Sequence, residues 1–381
     1  MYIIKTWAVV STALMVLGCD DPIEPLPGPQ DTLTVTIGDR PLPDGIVGYA
    51  YNVALEARGG DGTYTWSVVS GQLPAGLNLD GFSVSGTSTV HGYFPILFEV
   101  ESAGARDTAT LAIRIFESQL MQELLGPLDN VIFGSLERMR NDISQNPGLA
   151  TQFQAKIEML SDPSLEGQII NGSMFDLSEF TNSQGEIVPL FVVFPRDSMR
   201  AGALQDRSLV SQTVGVLENF VQVSWPWPRV REWYGFSIGN SGGGGDLNME
   251  DRGTYAERAL PHDAILRHEL AHSYIGHESL TQFLEVFAVN VIDTGTGDFA
   301  AWTYLRGNYV AFADSNTGAW ALMDIYQLIG EAAMGRAYNA VYQINPLYGV
   351  PLSDAAKQVF VNEAPADVMQ QVEAIVHKIV F

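Results

Sequence analysis

Residues 268–288 read HELAHSYIGHESLTQFLEVFA, and the first five of them place two histidines four residues apart. On an α-helix, His268 and His272 lie one turn apart on the same face, so both imidazoles can reach a single metal ion. Glu269 projects beside them and can take a proton from a water molecule at that ion. Imidazoles and carboxylates are ligands that suit zinc. The pattern therefore predicts a helix that carries a zinc site with an acid–base residue beside it.

A chance pair of core histidines is the alternative interpretation of this motif. The chain has only six histidines among 381 residues, so a chance match to the whole pattern is rare. The surrounding residues also suit a helix, because Asp263 can cap it after Pro261 and because Ile265, Leu266 and Leu270 give it an apolar face. We therefore prefer the zinc interpretation.

Two histidines leave a zinc site incomplete, and the residues that follow offer several candidates for the third ligand. One known spacing continues with glycine three residues and histidine six residues after the second histidine. That spacing fails here, because those positions hold Ile275 and Glu278. Glu285 lies on a following helix, which a tight turn at residues 276–278 can bring antiparallel to the first. Glu278 and His277 are the competing ligands.

With these residues in view, the chain resembles the aminopeptidase-N-like gluzincins, which are zinc metallopeptidases. HELAHSYIG matches their H-E-L-A-H-x-W/Y-x-G, and EVFA at residues 285–288 matches their N-E-G-F-A, whose glutamate binds zinc. The resemblance implies a zinc ion bound by His268, His272 and Glu285, with Glu269 as general base. The chain departs from the family in spacing, since only twelve residues separate His272 from Glu285.

Two weaker similarities flank this motif. LNMED at residues 247–251 looks like the G-A-M-E-N strand of the family, which lines the substrate cleft and whose glutamate holds the α-amino group of the peptide. The resemblance implies that role for Glu250, with a solvated edge-strand carboxylate as the alternative. In the family, a tyrosine stabilises the oxyanion. Alignment on Gly318 and Ala319 places Ser315 at its position in this chain, and a serine cannot replace that tyrosine. Tyr304 and Tyr309 lie nearby and are candidates for it, or are structural tyrosines.

The N-terminus has the features of an export signal. One lysine precedes an apolar run at residues 7–17, which is too short to span a bilayer and ends at Val-Leu-Gly-Cys. Aliphatic and small residues before a cysteine resemble the bacterial lipobox, which implies removal of residues 1–18 and a lipid anchor on Cys19. An ordinary secretory signal is the alternative. We expect a protein of the bacterial cell envelope, exposed to the periplasm or the cell surface.

Charge and cysteine content exclude several classes of protein. Twenty basic and forty-four acidic side chains give a net charge of −24, so nucleic acid is an unsuitable partner because its phosphates would be repelled. Cys19 is the single cysteine of the chain, and a lipid on its thiol leaves neither a disulfide nor a cysteine ligand.

Composition divides the remaining chain into three parts. Residues 19–32 are acidic and proline-rich, which favours an extended tether. Residues 33–116 contain short alternating segments broken by glycine, which predict an all-β sandwich. GGDGTYTWSVVSGQLPAGLNLD at residues 59–80 resembles an immunoglobulin-like domain of bacterial surface proteins. A spacer or adhesive role is the default for such a domain.

Residues 118–381 mix helical and strand patterns and are long enough for a complete core. Residues 118–160 and 208–223 predict helices, and residues 186–194 predict a buried strand. The SGGGG run at residues 241–245 predicts a flexible lip of the active-site cleft. These patterns predict an all-β sandwich followed by an α+β domain whose C-terminal part is helical. The resemblances imply that the sandwich is immunoglobulin-like and that the second domain has a thermolysin-like (gluzincin) zinc peptidase fold.

These patterns predict a membrane-anchored zinc metallopeptidase that acts on a peptide or protein substrate, with aminopeptidase-like binding favoured over endopeptidase action. The alternative is a non-catalytic surface lipoprotein that uses a peptidase-like fold for binding or adhesion. The short ligand spacing and Ser315 support that alternative, and the presence of Glu269 argues against it.

Overall fold

The computed structural model describes the chain in six stretches, which are residues 35–38, 42–172, 174–252, 262–294, 313–344 and 351–379. These stretches form a mixed α/β structure with several sheets. The predicted signal peptide, the tether, Cys19, Tyr304 and Tyr309 all lie outside the described residues. Within the described stretches, every helix is too short or too polar to cross a membrane.

The N-terminal part consists of strands. They are β1 (Val35–Ile37), β2 (Gly45–Ile46), β3 (Ala50–Ala54), β4 (Ala57–Gly59), β5 (Thr65–Ser70), β6 (Leu77–Asp80), β7 (Ser83–Thr87), β8 (Gly92–Ser102) and β9 (Ala105–Phe116). One sheet has the strand order β2-β9-β8-β5, a second has the order β3-β7-β6, and β1 pairs with β4.

The two larger sheets enclose one hydrophobic core. Alternate residues of the long strand β8 are fully buried, namely Ile96, Phe98 and Val100. Because successive side chains of a strand point to opposite faces, this alternation turns one face of the sheet inward. Tyr51 of β3 and Val84 of β7 belong to the same core from the other sheet. β9 ends at Phe116, at the predicted end of the sandwich, although the division into domains stays a prediction.

The rest of the chain begins with helices and continues with a sheet that more helices cover. Its elements are α1 (Gln119–Leu125), α2 (Leu128–Gln145), α3 (Ala150–Leu160), α4 (Leu165–Asn171), β10 (Phe175–Thr181), β11 (Ile187–Val193), α5 (Arg200–Val221), β12 (Val230–Tyr234), β13 (Ser241–Gly243), β14 (Asp246–Met249), α6 (His262–Ala271), α7 (Glu278–Thr294), α8 (Ala313–Ile344), α9 (Asp354–Asn362) and α10 (Met369–Val376). Helix α8 is interrupted at Gly330, whose φ is 78°.

The sheet of this part has the strand order β10-β11-β12-β14-β13. β11, β12 and β14 are parallel neighbours, while β10 and β13 pair antiparallel at the two edges. On β11, Leu190 and Val192 face the core that contains α5 to α10, whereas Phe191 and Val193 face the core that contains α1 to α4. Helices on both faces explain why β11 reads as a continuous apolar run.

The β-rich N-terminal part and the helical part meet at a partly buried cation, Arg114. Arg114 of β9 contacts Asp44 at 2.6 Å and Glu166 of α4 at 2.8 Å, with Asp129 of α2 at 3.3 Å. The Arg114 side chain is only 13% exposed, so its charge is compensated by these carboxylates and little by water. Phe116 packs into the core that α1 and α4 share.

We expect Arg114→Ala to lower the free energy of unfolding by about 2–4 kcal/mol, because it leaves Asp44 and Glu166 close together without their cation. Urea denaturation measures this change. The control is Arg106→Ala, because Arg106 pairs with Glu99 through a side chain that is 60% exposed. That variant should change stability by less than about 0.5 kcal/mol. Equal effects of the two variants would show that the Arg114 cluster does not hold the two parts together.

Candidate metal centre

Helix α6 presents the two motif histidines to one point. Leu266 and Leu270 are buried and hold the opposite face of the helix in the core. The backbone N–H of His272 donates to the carbonyl oxygen of His268 at 3.2 Å, so the helical spacing extends through the second histidine. The Nε2 atoms of the two imidazoles lie 3.1 Å apart. The structure thus brings the two histidine side chains together on one face of α6.

Glu278, the first residue of α7, completes the cluster. Its Oε1 atom lies 3.5 Å from Nε2 of His268, and its Oε2 atom lies 3.5 Å from Nε2 of His272. The side-chain amide of Gln282, one turn further along α7, donates to Oε1 of Glu278 at 3.1 Å. Among the described residues, these two histidines and Glu278 form a group whose ligand atoms could hold one metal ion.

The expectation that Glu285 is the third ligand differs from this geometry. Oε2 of Glu285 lies 3.0 Å from Nδ1 of His268, on the edge of the ring away from the Nε2 pair. Glu285 is seven residues beyond Glu278, which corresponds to about 10.5 Å along a helix axis. The short connection after α6 brings the start of α7, and not its second turn, level with the Nε2 atoms. Glu285 therefore contacts His268 through Nδ1 and not through Nε2.

His277, the other competing ligand, is also outside the cluster. Its side chain is fully buried, and neither ring nitrogen has a hydrogen-bond partner in the described part of the chain. Burial lowers the pKa of His277 to about 4, so its imidazole is neutral. Its backbone carbonyl instead accepts the N–H of Thr281 at the start of α7.

The spacing of the motif contains a signal that favours Glu278 among the candidate third ligands. Glu278 follows His272 by six residues, which is the position of the third histidine in the metzincin pattern. That pattern demands a histidine at residue 278 and a glycine at residue 275, so it does not match this chain. A carboxylate can also bind zinc, so the same position holds a candidate ligand of another type.

Carboxylates near the two histidines favour a positive charge on the cluster. Burial by itself lowers the pKa of His268, but the hydrogen bond and charge of Glu285, together with the charges of Glu278 and Glu269, raise it to about 9. Burial raises the pKa of Glu278, yet its hydrogen bond to His272 and the nearby imidazoles bring it below the ordinary value. Glu278 thus stays a carboxylate, and the potential that favours a proton on His268 also favours a metal cation.

Glu269 lies beside the cluster and is largely shielded from solvent. Its side chain is 8% exposed and lines the same cleft as the two histidines. Burial raises the pKa of Glu269 above the ordinary value, while His268 and His272 oppose the shift. A carboxylate with a raised pKa can accept a proton and later return it, which is the behaviour of a general base.

The described geometry fits a zinc ion. Two nitrogen ligands at about 2.0–2.1 Å from zinc and at a tetrahedral angle lie about 3.4 Å apart. The observed Nε2 separation of 3.1 Å and the two Glu278 distances of 3.5 Å are close to this value. Two imidazoles and a carboxylate are also the donor set of several catalytic zinc sites, which keep one position open.

A cleft of about 420 Å³ opens in front of the cluster, lined by Asn240, Ser241, Gly242, His268, Glu269, His272, Gly276 and Glu278. Strand β13 forms one wall of this cleft and is the edge of its sheet. A Cβ atom at Gly242 would lie 2.2 Å from the backbone oxygen of Glu269. The absence of a side chain at Gly242 therefore lets the edge strand approach α6.

Two expectations about this wall can be compared with the structure. Ser241 and Gly242 of the SGGGG run line the cleft as expected, but Ser241–Gly243 form strand β13, and glycines with positive φ follow in the turn. The LNMED segment is not a free edge, because β14 has β13 on one side and β12 on the other. Glu250 follows β14, is 2% exposed and is not part of the cleft lining. Its backbone N–H donates to Oδ1 of Asn240 at 2.9 Å.

No known protein family and no curated protein matches this chain. Among solved structures, aminopeptidase A from Legionella pneumophila is similar over 55% of this chain and 28% of its own, at 14% identity and a TM-score of 0.39. A protein from Bacteroides fragilis described as an alpha-galactosidase is similar over 28% of this chain and 25% of its own, at 20% identity and a TM-score of 0.20. The chain spans about a quarter of the length of these structures.

We expect Gly242→Ala to lower the free energy of unfolding by about 1–3 kcal/mol, because the new methyl group collides with the backbone of Glu269 and pushes β13 away from α6. The control is Gly215→Ala in α5, where the added Cβ meets open space. That variant should be neutral or stabilising by up to about 1 kcal/mol, since alanine favours a helix over glycine. Thermal or urea unfolding measures both. A neutral Gly242→Ala variant would contradict the close contact.

Proposed function

We propose that this protein is a zinc-dependent metallopeptidase that hydrolyses peptide bonds in the cleft between β13 and α6. The observation that carries the proposal is the convergence of three donors. The Nε2 atoms of His268 and His272 are 3.1 Å apart, and the Glu278 carboxylate lies 3.5 Å from each of them. Glu269 stands beside this group in the same cleft.

His268, His272 and Glu278 would hold the zinc ion, which when bound polarises the scissile carbonyl and lowers the pKa of water. The chain itself supplies the proton transfers. Glu269, whose pKa is raised by burial, takes the proton of the attacking water and returns it to the leaving amine. Because Glu269 projects beside the histidines, its carboxylate reaches the attacking and the departing groups from one side.

The free edge of the sheet suits an extended peptide. β13 pairs with β14 on one side, and its other edge has no strand among the described residues. An extended substrate can add to such an edge through backbone hydrogen bonds. Ser241 is exposed, and the glycines that follow it carry no side chain. The wall therefore recognises the peptide backbone and imposes little selection on its side chains.

The polarity of the substrate is a separate part of the proposal. The resemblance of LNMED to the amine-binding strand supports a role for Glu250 in holding a free α-ammonium group. The position of Glu250 outside the cleft lining supports internal cleavage instead. Hydrolysis of free-amine and N-blocked versions of the same peptide separates these two modes.

We further propose that the enzyme acts in the bacterial cell envelope, held to a membrane by a lipid on Cys19. The lipobox-like sequence before Cys19 and the acidic, proline-rich residues 19–32 support this location. The glycine- and tryptophan-containing motif at residues 59–80 supports an immunoglobulin-like identity for the sandwich, which would act as a spacer.

We expect Glu269→Gln to retain zinc and to lose peptide hydrolysis, because an amide cannot accept the proton of the attacking water. Metal content by mass spectrometry and turnover of a peptide library measure the two properties. The matched control is Glu373→Gln, the same chemical change at an exposed position of α10, which should leave both properties unchanged. Undiminished hydrolysis by Glu269→Gln would refute the mechanism. A wild-type protein that binds zinc and cleaves no peptide would favour the non-catalytic binding role.

The two glutamates of α7 are predicted to differ in their effect on zinc affinity. Glu285→Gln should weaken zinc binding by about 10–100-fold, as expected for a group that orients a ligand through its second nitrogen. Glu278→Gln should weaken it more, because it removes a carboxylate from the metal itself. Competition with a chromophoric chelator measures both affinities. The reverse order would return Glu285 to the role of third ligand.

A further inference from the structure

Thr281 is a buried residue of α7 that takes no direct part in the proposed hydrolysis. Its Oγ1 atom lies 3.3 Å from Nδ1 of His272, 2.8 Å from the carbonyl oxygen of Ile275 and 3.1 Å from that of His277. The side chain is fully buried. One hydroxyl group thus contacts a candidate ligand and two carbonyls of the connection that leads to Glu278.

The proton of this hydroxyl can serve only one strong acceptor at a time. The shortest contact is to the Ile275 carbonyl, which cannot donate, so the hydroxyl donates there. The contact to His272 must then run the other way, with Nδ1–H donating to a lone pair of Oγ1. A proton on Nδ1 leaves the lone pair of Nε2 free, and Nε2 is the atom that faces His268 and Glu278.

Thr281 is the counterpart of Glu285. The two residues are four apart on α7, and the two histidines are four apart on α6, so each helix presents one face to the other. Because the helices are antiparallel, Thr281 meets the second histidine and Glu285 meets the first. Each imidazole is thereby held through Nδ1 from the same neighbouring helix.

We propose that Thr281 is a positioning residue of the metal centre, which fixes the Nδ1–H tautomer and the ring orientation of His272 before a metal ion binds. The same hydroxyl fixes the connection that places Glu278 beside the histidines. This inference rests on the proposed zinc site, but it concerns metal affinity and ring state and not hydrolysis.

Thr281→Val keeps the shape of the side chain and removes the hydroxyl, so it should weaken zinc binding by the full-length protein by about 10–100-fold. Thr281→Ser, which restores the hydroxyl, should recover most of that affinity. The matched control is Thr213→Val in α5, because Thr213 is equally buried and its hydroxyl has no hydrogen-bond partner within the described residues. Thr213→Val should bind zinc as the wild type does. Equal affinities of Thr281→Val and Thr213→Val would overturn the proposal.

A second measurement keeps the test valid if Thr281→Val does not fold. Nitrogen-15 NMR of the metal-free wild-type protein reports which ring nitrogen of neutral His272 carries the proton. The proposal requires Nδ1–H, whereas an imidazole in water prefers the other tautomer. A proton on Nε2 of His272 would overturn it.

These readouts separate the present inference from the proposed function. Zinc affinities that follow the expected order in a protein that cleaves no peptide would support the role of Thr281 and contradict the peptidase. If the protein hydrolyses peptides and Thr281→Val leaves its zinc affinity unchanged, the peptidase is supported and the role of Thr281 is contradicted.

Discussion

The short connection between α6 and α7 is the constraint on which the candidate metal centre depends. Helix α6 ends at Ala271 and α7 begins at Glu278, so the chain must reverse within a few residues and the helices must lie side by side. The reversal brings the first residue of α7 level with the Nε2 atoms of α6. It also places Thr281 and Glu285 against the Nδ1 atoms of the two histidines. The same short connection thus places Glu278 beside the Nε2 atoms and places Thr281 and Glu285 beside the Nδ1 atoms.

The hydrophobic core fixes the rotation of α7. Phe283 and Phe287 pack against Phe220 of α5 at ring distances of 5.9 and 4.1 Å, and Phe283 stacks on Tyr338 of α8 at 5.3 Å. Because protein interiors are close-packed, α7 cannot turn about its axis without disturbing these contacts. The polar residues on its other face are therefore held towards α6. Aromatic packing on one side of α7 thus determines where the carboxylates on its other side lie.

Sequence reasoning succeeded where the pattern is local. The histidine pair follows from helical periodicity, which needs no information from the rest of the chain. The strand at Ile187–Val193, most of whose residues are buried, follows from its continuous apolar run. The place of LNMED between β12 and β13 did not follow from the sequence, because strand order depends on pairing between distant residues. The sequence predicted the glycine run at the cleft, but only the approach of β13 to Glu269 shows why Gly242 lacks a side chain.

By itself, the sequence determined that His268 and His272 share a helix face, that Glu269 accompanies them, and that a carboxylate follows on the next helix. Glu278 and Glu285 are seven residues apart, so they lie on nearly the same face of α7 and periodicity cannot choose between them. The tertiary structure made that choice. The height of α7 against α6 decides which carboxylate meets Nε2 and which meets Nδ1, and that height is set by the length of the connection and by the aromatic core behind it.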